Sequence, residues 1–172
     1  MMEEKGTVYF FTGLAGAGKS TIGGLFYERL KAHRPDAILI DGHMAREAAV
    51  AAGASRDYSL NARLQGAKGA QNHIKSLADA GHDVVWCSMA LFDEIRQWNR
   101  KNIERYREVY LKVPMETLKR RRVELYSGRE RQVVGLDLAW DEPVASDAVI
   151  ENDGRDTPEE IVAKLVEEFG LK

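Results

Sequence analysis

The sequence predicts an α/β protein built on a five-stranded parallel sheet with helices on both faces. Two observations carry the fold class: five short apolar runs alternate with segments of helical periodicity, and the first run is apolar, aromatic and β-branched throughout. The alternation is that of strands joined by crossover helices, and a continuous apolar run suits a strand buried on both sides. A third observation locates the chemistry. Gly13-Leu14-Ala15-Gly16-Ala17-Gly18-Lys19-Ser20, with Thr21 behind it, matches G-x-x-x-x-G-K-[ST] at every fixed position and sits between that first run and the first helix.

The elements follow in order. Residues 7–12 form the first strand. Ile22, Leu25, Phe26, Arg29 and Leu30 recur at helical spacing, so a helix runs from 19 to about 33 and stops before Arg34-Pro35. Residues 37–40 form the second strand, with Asp41 just past its end. A helical piece spans 45–52 and ends at Gly53. Ser59 caps a longer helix that reaches Ala80 and is closed by Gly81. Residues 83–88 are the third strand, 92–104 a helix and 106–113 the fourth strand. Pro114 starts a helix from 115 to about 125. Residues 126–144 show neither period and carry Gly128, Gly135 and Pro143. The fifth strand is 148–150, and Thr157-Pro158-Glu159-Glu160 opens the last helix as a capping box with proline at the first helical position.

A chain of 172 residues suits one domain spanning 1–172, with residues from about 120 to 144, the irregular region included, as a lid. Its 44% hydrophobic and 30% charged residues are those of a soluble globular protein. The net charge of −2 gives no drive toward nucleic acid or an anionic membrane. A single cysteine, Cys87, excludes an internal disulfide and a multi-cysteine zinc site; within its apolar run it reads as a core thiol. The first residues lack an apolar signal region, and no run is long enough to span a bilayer, so a cytoplasmic location is expected.

In parallel sheets ligands sit outside the carboxyl ends of the strands. The groups to read are therefore residues 13–21, 41–46, 88–90 and 152–154. Gly13, Gly16 and Gly18 let the backbone curl so that its N–H groups, including those of Leu14, Ala15, Ala17 and Thr21, face phosphate oxygens. Lys19 would reach the β- and γ-phosphates of a nucleoside triphosphate and Ser20 would ligate Mg²⁺. Asp41 could accept a substrate hydroxyl proton, hold Mg²⁺ through water, or simply cap the following helix. Arg46 and Arg63 could clamp an anionic acceptor, or be solvated surface charges. Arg120, Arg121 and Arg122 precede the irregular region, and Arg129 and Arg131 lie within it. They suit a lid that brings cations over a transferring phosphoryl group, with Arg120 assigned to the nucleotide, or a basic surface loop. Of four histidines only His43, two residues past Asp41, is placed to touch a ligand.

In this order the motifs resemble the adenylylsulfate (APS) kinases, P-loop kinases related to the nucleoside monophosphate kinases. The resemblance runs from Thr7 to about Asp153, through the P-loop, Leu39-Ile40-Asp41-Gly42 with Arg46, Tyr58-Ser59 with Arg63, Leu125-Tyr126-Ser127, Val134-Gly135-Leu136-Asp137 and Glu142-Pro143. It implies transfer of the ATP γ-phosphate to the 3′-hydroxyl of APS with Mg²⁺, and it allows a homodimer. The chain departs from the family pattern at several places. His43 replaces the second aspartate of Asp-Gly-Asp-x-x-Arg, and Gly66 replaces an asparagine on the substrate helix. Arg121, Val123 and Glu124 replace a lid aspartate, lysine and glycine, and Val133 replaces a phenylalanine. In the family two aromatic rings sandwich the adenine; Tyr58 could supply one, but Val133 cannot supply the other. Losing one stacking face weakens base binding by about a kilocalorie per mole or more, without excluding a smaller pyrimidine.

Residues 88–100 are similar to short APS-kinase-like proteins of polysaccharide loci, some of which phosphorylate a cytidine diphosphate derivative such as cytidine diphosphoramidate. The expectation is an ATP- and Mg²⁺-dependent kinase acting on a hydroxyl of APS or a similar nucleotide-linked small molecule. The alternatives are a cytidine-diphosphate-derivative kinase and a nucleotide-binding regulatory protein without transfer. Neither nucleic acid nor membrane is expected as a partner.

Overall fold

The structure, a computed structural model, describes residues 4–171. The elements are β1 (Val8–Thr12), α1 (Lys19–His33), β2 (Ile38–Asp41), α2 (Gly42–Ala51), α3 (Leu60–Asp79), β3 (Val84–Cys87), α4 (Asp93–Asn102), β4 (Tyr106–Lys112), α5 (Met115–Arg121), β5 (Ala148–Glu151) and α6 (Pro158–Glu168). The strands form one sheet in the order β2-β3-β1-β4-β5, and every neighbouring pair is parallel.

Two cores lie on opposite faces, and the pleat of the strands explains both. Successive residues point to opposite sides of a strand. Tyr9 and Phe11 of β1, with Val85 and Cys87 of β3, join Ile22, Phe26 and Leu30 of α1 and Ile161, Val162 and Leu165 of α6. Val8 and Phe10, with Val84 and Trp86, join Ile74 and Ala78 of α3 and Ile95 of α4. Full burial of each large apolar side chain contributes about 1.5–3 kcal/mol relative to exposure. The helices on both faces are thus what bury the sheet, as the alternation of elements predicts.

Most boundaries agree with the sequence reading to within two residues; two differ by more, each for a local reason. The helix expected at 45–52 begins at Gly42, because Asp41 is the last residue of β2 and caps α2 directly. The helix expected to reach 125 ends at Arg121, where Arg122 leaves helical geometry at φ −130°. The chain then turns so that Tyr126 is buried, 6% exposed. Residues 126–144 contain no named helix or strand; a bridge joins Val134 to Leu138. The capping box of α6 forms as expected, with Thr157 Oγ1 accepting from Glu160 N and Thr157 N donating to the Glu160 carboxylate. Among the described residues no helix is long and apolar enough to cross a membrane.

Candidate active site

The central strand β1 delivers the glycine loop to the carboxyl edge of the sheet, between β3 and β4. Strand order reverses about β1, which is where parallel α/β sheets open a crevice. Thr12, the last residue of β1, donates from Oγ1 to Met89 O at 2.6 Å and so ties the loop after β3 to the start of the glycine loop. Gly18 caps α1 at φ 99° and has no side chain to offer. A Cβ there would lie 2.7 Å from Asn152 Nδ2, which donates to Ala17 O at 2.8 Å, so only glycine fits beside that amide. The first-turn N–H groups of α1 have no intrahelical acceptor and present partial positive charge, the arrangement that receives phosphate.

Lys19 donates from Nζ to Gly13 O at 2.8 Å and Leu14 O at 3.0 Å. Packing of the ammonium against the loop removes water, and this burial is the main reason that its pKa falls to about 8. Cys87 is buried beneath, with Sγ 3.4 Å from Lys19 O, and burial pushes its thiol up to about 12. That thiol is a core group, as its apolar run predicts.

Asp41 takes one of the roles open to it from sequence, the helix cap, and adds a contact that sequence did not suggest. Its Oδ1 accepts from His43 N at 2.9 Å and Met44 N at 3.1 Å, which caps α2. Its Oδ2 accepts from Ser20 Oγ at 2.5 Å. The carboxylate is therefore fixed on the P-loop hydroxyl by the helix that it starts. His43 stands in the first turn of α2 with its residue exposed. The donor set at Ser20 and Asp41 is a hydroxyl and a carboxylate, hard oxygens that suit Mg²⁺. Among the described residues no three His, Cys, Asp or Glu side chains converge on a metal site. A Mg²⁺ here would take its remaining ligands from phosphate and water, the usual habit of that ion.

On the acceptor side the structure brings Arg46, Tyr58 and Arg63 together. The guanidinium carbon of Arg46 lies 4.9 Å from the centre of the Tyr58 ring and that of Arg63 lies 5.5 Å from it. Arg63 also donates from Nε to Tyr58 O at 2.8 Å and from Nη2 to Gln132 O at 3.2 Å. Burial, and then the charge of Arg46, lowers the pKa of Arg63. Gln132 adopts φ 59° to present that carbonyl. The adjacent Val133 is 5% exposed and packs in the core on the α1 face of the sheet.

The end of α5 and the segment after it meet the P-loop through Arg121, one of the lid arginines read from sequence, and through Tyr126, to which sequence reasoning gave no role. Tyr126 Oη donates to Ala15 O at 2.7 Å. Arg121 donates from Nη1 to Gly16 O at 3.1 Å and from Nη2 to Asn152 O at 2.8 Å. Arg120, the arginine assigned to the nucleotide from sequence, donates instead to Thr117 Oγ1 at 3.1 Å within its own helix and is exposed. The available signal was weak: Asn152 opens the group after the fifth strand, and Tyr126 marks where periodicity ends.

A phosphate-receiving helix terminus, a lysine folded into the glycine loop and a serine–aspartate pair at the mouth of a parallel sheet define a P-loop kinase. The chain belongs to the adenylylsulphate kinase family, whose model matches residues 5–151. Among curated relatives, the cytidine diphosphoramidate kinase of Campylobacter jejuni is 34% identical over 99% of this chain and 100% of that protein. The adenylyl-sulfate kinase of a Picosynechococcus species is 31% identical over 98% of both chains. In fold the chain is similar to the Mycobacterium tuberculosis APS kinase solved in complex with AMPPNP and APS. That likeness has a TM-score of 0.82 at 23% identity and covers 96% of this chain and 98% of the other.

Proposed function

We propose that this kinase uses ATP and Mg²⁺ to phosphorylate a hydroxyl of a nucleotide-linked small molecule, and that the acceptor is a cytidine diphosphate derivative. The observation that carries the transfer chemistry is the contact between Ser20 and Asp41 beside an unpaired helix terminus. The amides of residues 13–21 bind the triphosphate, and the Lys19 ammonium leaves the carbonyls of Gly13 and Leu14 for the β- and γ-phosphates. Ser20, with Asp41 beside it, holds Mg²⁺, which when bound neutralises phosphate charge. Asp41 orients the acceptor hydroxyl and takes its proton as the oxygen bonds to the γ-phosphorus and ADP leaves. Arg46 and Arg63 hold the acceptor's anionic linkage, with His43 at the rim. Residues 120–144 act as the lid, and Arg121, already on the P-loop carbonyl of Gly16, supplies a cation on the nucleotide side; Arg120 would have to leave Thr117 to join it.

For the acceptor, support comes from full-length similarity to the Campylobacter jejuni enzyme and from Val133, an interior aliphatic residue that offers no ring to a purine. APS is the second reading, supported by the match to the adenylylsulphate kinase family and by the Picosynechococcus relative. The test is ADP release from ATP with cytidine diphosphoramidate or APS as acceptor. Turnover with the cytidine compound is expected; turnover with APS alone would overturn the acceptor assignment.

A further inference from the structure

Each carbonyl of the glycine loop from Gly13 to Gly18 has a donor. Lys19 Nζ serves Gly13 and Leu14, Tyr126 Oη serves Ala15, Arg121 Nη1 serves Gly16, Asn152 Nδ2 serves Ala17, and the Ile22 N–H serves Gly18. In a trans peptide the carbonyl and the next residue's N–H point in opposite directions, and the described residues contain no cis peptide. A carbonyl held by a side chain from outside the loop therefore turns the following N–H away from that side chain, toward the hollow of the loop. Turning a peptide plane over changes φ of the residue behind it, and glycine accepts either sign of φ. Two peptides inside the loop have this freedom, those ahead of Gly16 at φ 88° and Gly18 at φ 99°. The first is held by Tyr126 and the second by Asn152. Among the described residues nothing accepts from the Gly18 N–H.

Asn152 is itself held rigidly. It follows β5 directly and is 9% exposed. Its N–H donates to Lys112 O at 3.0 Å, which extends the β4–β5 pairing by one residue, and its carbonyl accepts from Arg121 Nη2 at 2.8 Å. Both ends of its backbone are thus fixed, and the side-chain amide reaches Ala17 O at 2.8 Å. We infer that Asn152 is a positioning residue for the triphosphate: it holds the Ala17–Gly18 peptide so that the Gly18 N–H, and not the Ala17 carbonyl, faces the phosphates. Without that amide the peptide is free to turn over and set a carbonyl oxygen against phosphate oxygens, a repulsion in place of a charge-assisted hydrogen bond. The inference rests on the reading that residues 13–21 hold the triphosphate.

The experiment titrates the full chain with a non-hydrolysable ATP analogue in the presence of Mg²⁺, reading affinity by calorimetry and the Gly18 amide resonance by NMR. In wild type that resonance should move downfield as the N–H meets phosphate. Asn152→Leu keeps the side chain's size and removes the donor. It should weaken binding roughly ten- to a hundred-fold, the range for one hydrogen bond to a charged acceptor, and should abolish most of the Gly18 shift. Asn152→Ala, which disturbs packing less and admits water to the Ala17 carbonyl, should change both readouts in the same direction by a smaller factor. Unchanged affinity in both variants, with only the melting temperature lowered, would make Asn152 a purely structural residue and overturn the inference. Weakened binding with the Gly18 shift intact would overturn it as well. Lys19→Met separates the two levels. If it binds the analogue as wild type does, the triphosphate reading fails and the inference with it. If Lys19→Met loses binding while the Asn152 variants do not, the positioning role alone is overturned.

Discussion

Gly23 of α1 lies against Cys87 of β3 so closely that a Cβ on the glycine would stand 2.3 Å from the sulfur. The consequence reaches the active site. Cys87 pairs in register with Asp41, and Ser20 lies one helical turn before Gly23 on the same side of α1. The close approach of helix to sheet is what brings Ser20 Oγ to 2.5 Å from Asp41 Oδ2, although β3 separates β1 from β2.

Gly23→Ala should therefore destabilise the protein by about 1–3 kcal/mol, the usual cost of overpacking, even though alanine is the better helix former. Gly24→Ala is the control: nothing lies within 4 Å of its Cβ position, so it should stabilise by about 0.5–1 kcal/mol. Thermal melts of the two variants should move in opposite directions. Gly23→Ala should also slow turnover, because Ser20 moves with the helix.

Lys19 should make nucleotide binding pH-dependent. With its pKa at about 8, the ammonium is about half deprotonated at pH 8 in the ligand-free loop. Phosphates favour the charged form, so binding ATP should take up to about half a proton at pH 8 and almost none below pH 7. Calorimetry in two buffers of different ionisation enthalpy measures the uptake, and Lys19→Met should abolish it. The sign for stability follows from the same shift. The unfolded lysine keeps its ordinary 10.5, so the unfolded chain holds more protons between pH 8 and 10.5. This residue's contribution to stability therefore rises with pH across that window.

The sheet and the donor half of the site are legible in the sequence because short-range rules write them. A continuous apolar run, a glycine loop and a proline-led capping box each declare themselves within a few residues, and Lys19–His33 begins and ends where spacing and Arg34-Pro35 place it. What sequence leaves open is which long side chain points where. Arg120 and Arg121 are neighbours on one short helix, yet only Arg121 reaches Gly16 and Asn152. Asp41 is both a cap and a partner of Ser20, and only the strand order shows how the second is possible. That Arg46 and Arg63 come to rest over the Tyr58 ring is likewise visible only once α2 and α3 are placed.

Arg96 is equally hidden, since a buried arginine is the rare case. It is 1% exposed and donates to Ala90 O at 2.7 Å and Asp141 O at 2.5 Å, with Asp93 Oδ1 at 3.4 Å. Ala90 holds φ 42° to offer its carbonyl. The guanidinium thus fastens the loop after β3 to the far end of the irregular segment. Arg96→Met should leave both carbonyls without their donor and lower stability by about 2–4 kcal/mol. Hydrogen exchange should locate the damage: the Asp141 N–H, which donates to Leu91 O at 2.8 Å, should lose protection before the amides of β1 do.

The near end of the same segment rests on the P-loop through Tyr126 Oη and the guanidinium of Arg121, which take the carbonyls of Ala15 and Gly16. These bonds engage carbonyls and leave the loop's N–H groups for phosphate, so they hold the loop in its receiving shape without occupying it. Tyr126→Phe keeps the buried ring and removes one neutral hydrogen bond, worth about 1 kcal/mol. The expected result is a rise in the KM for ATP of roughly three- to ten-fold with the acceptor KM unchanged. Arg121→Met, which also frees Asn152 O, should raise it further. Steady-state kinetics with each substrate varied in turn reads both. An equal loss on the acceptor side would mean that the segment acts on the whole crevice and not on the nucleotide loop.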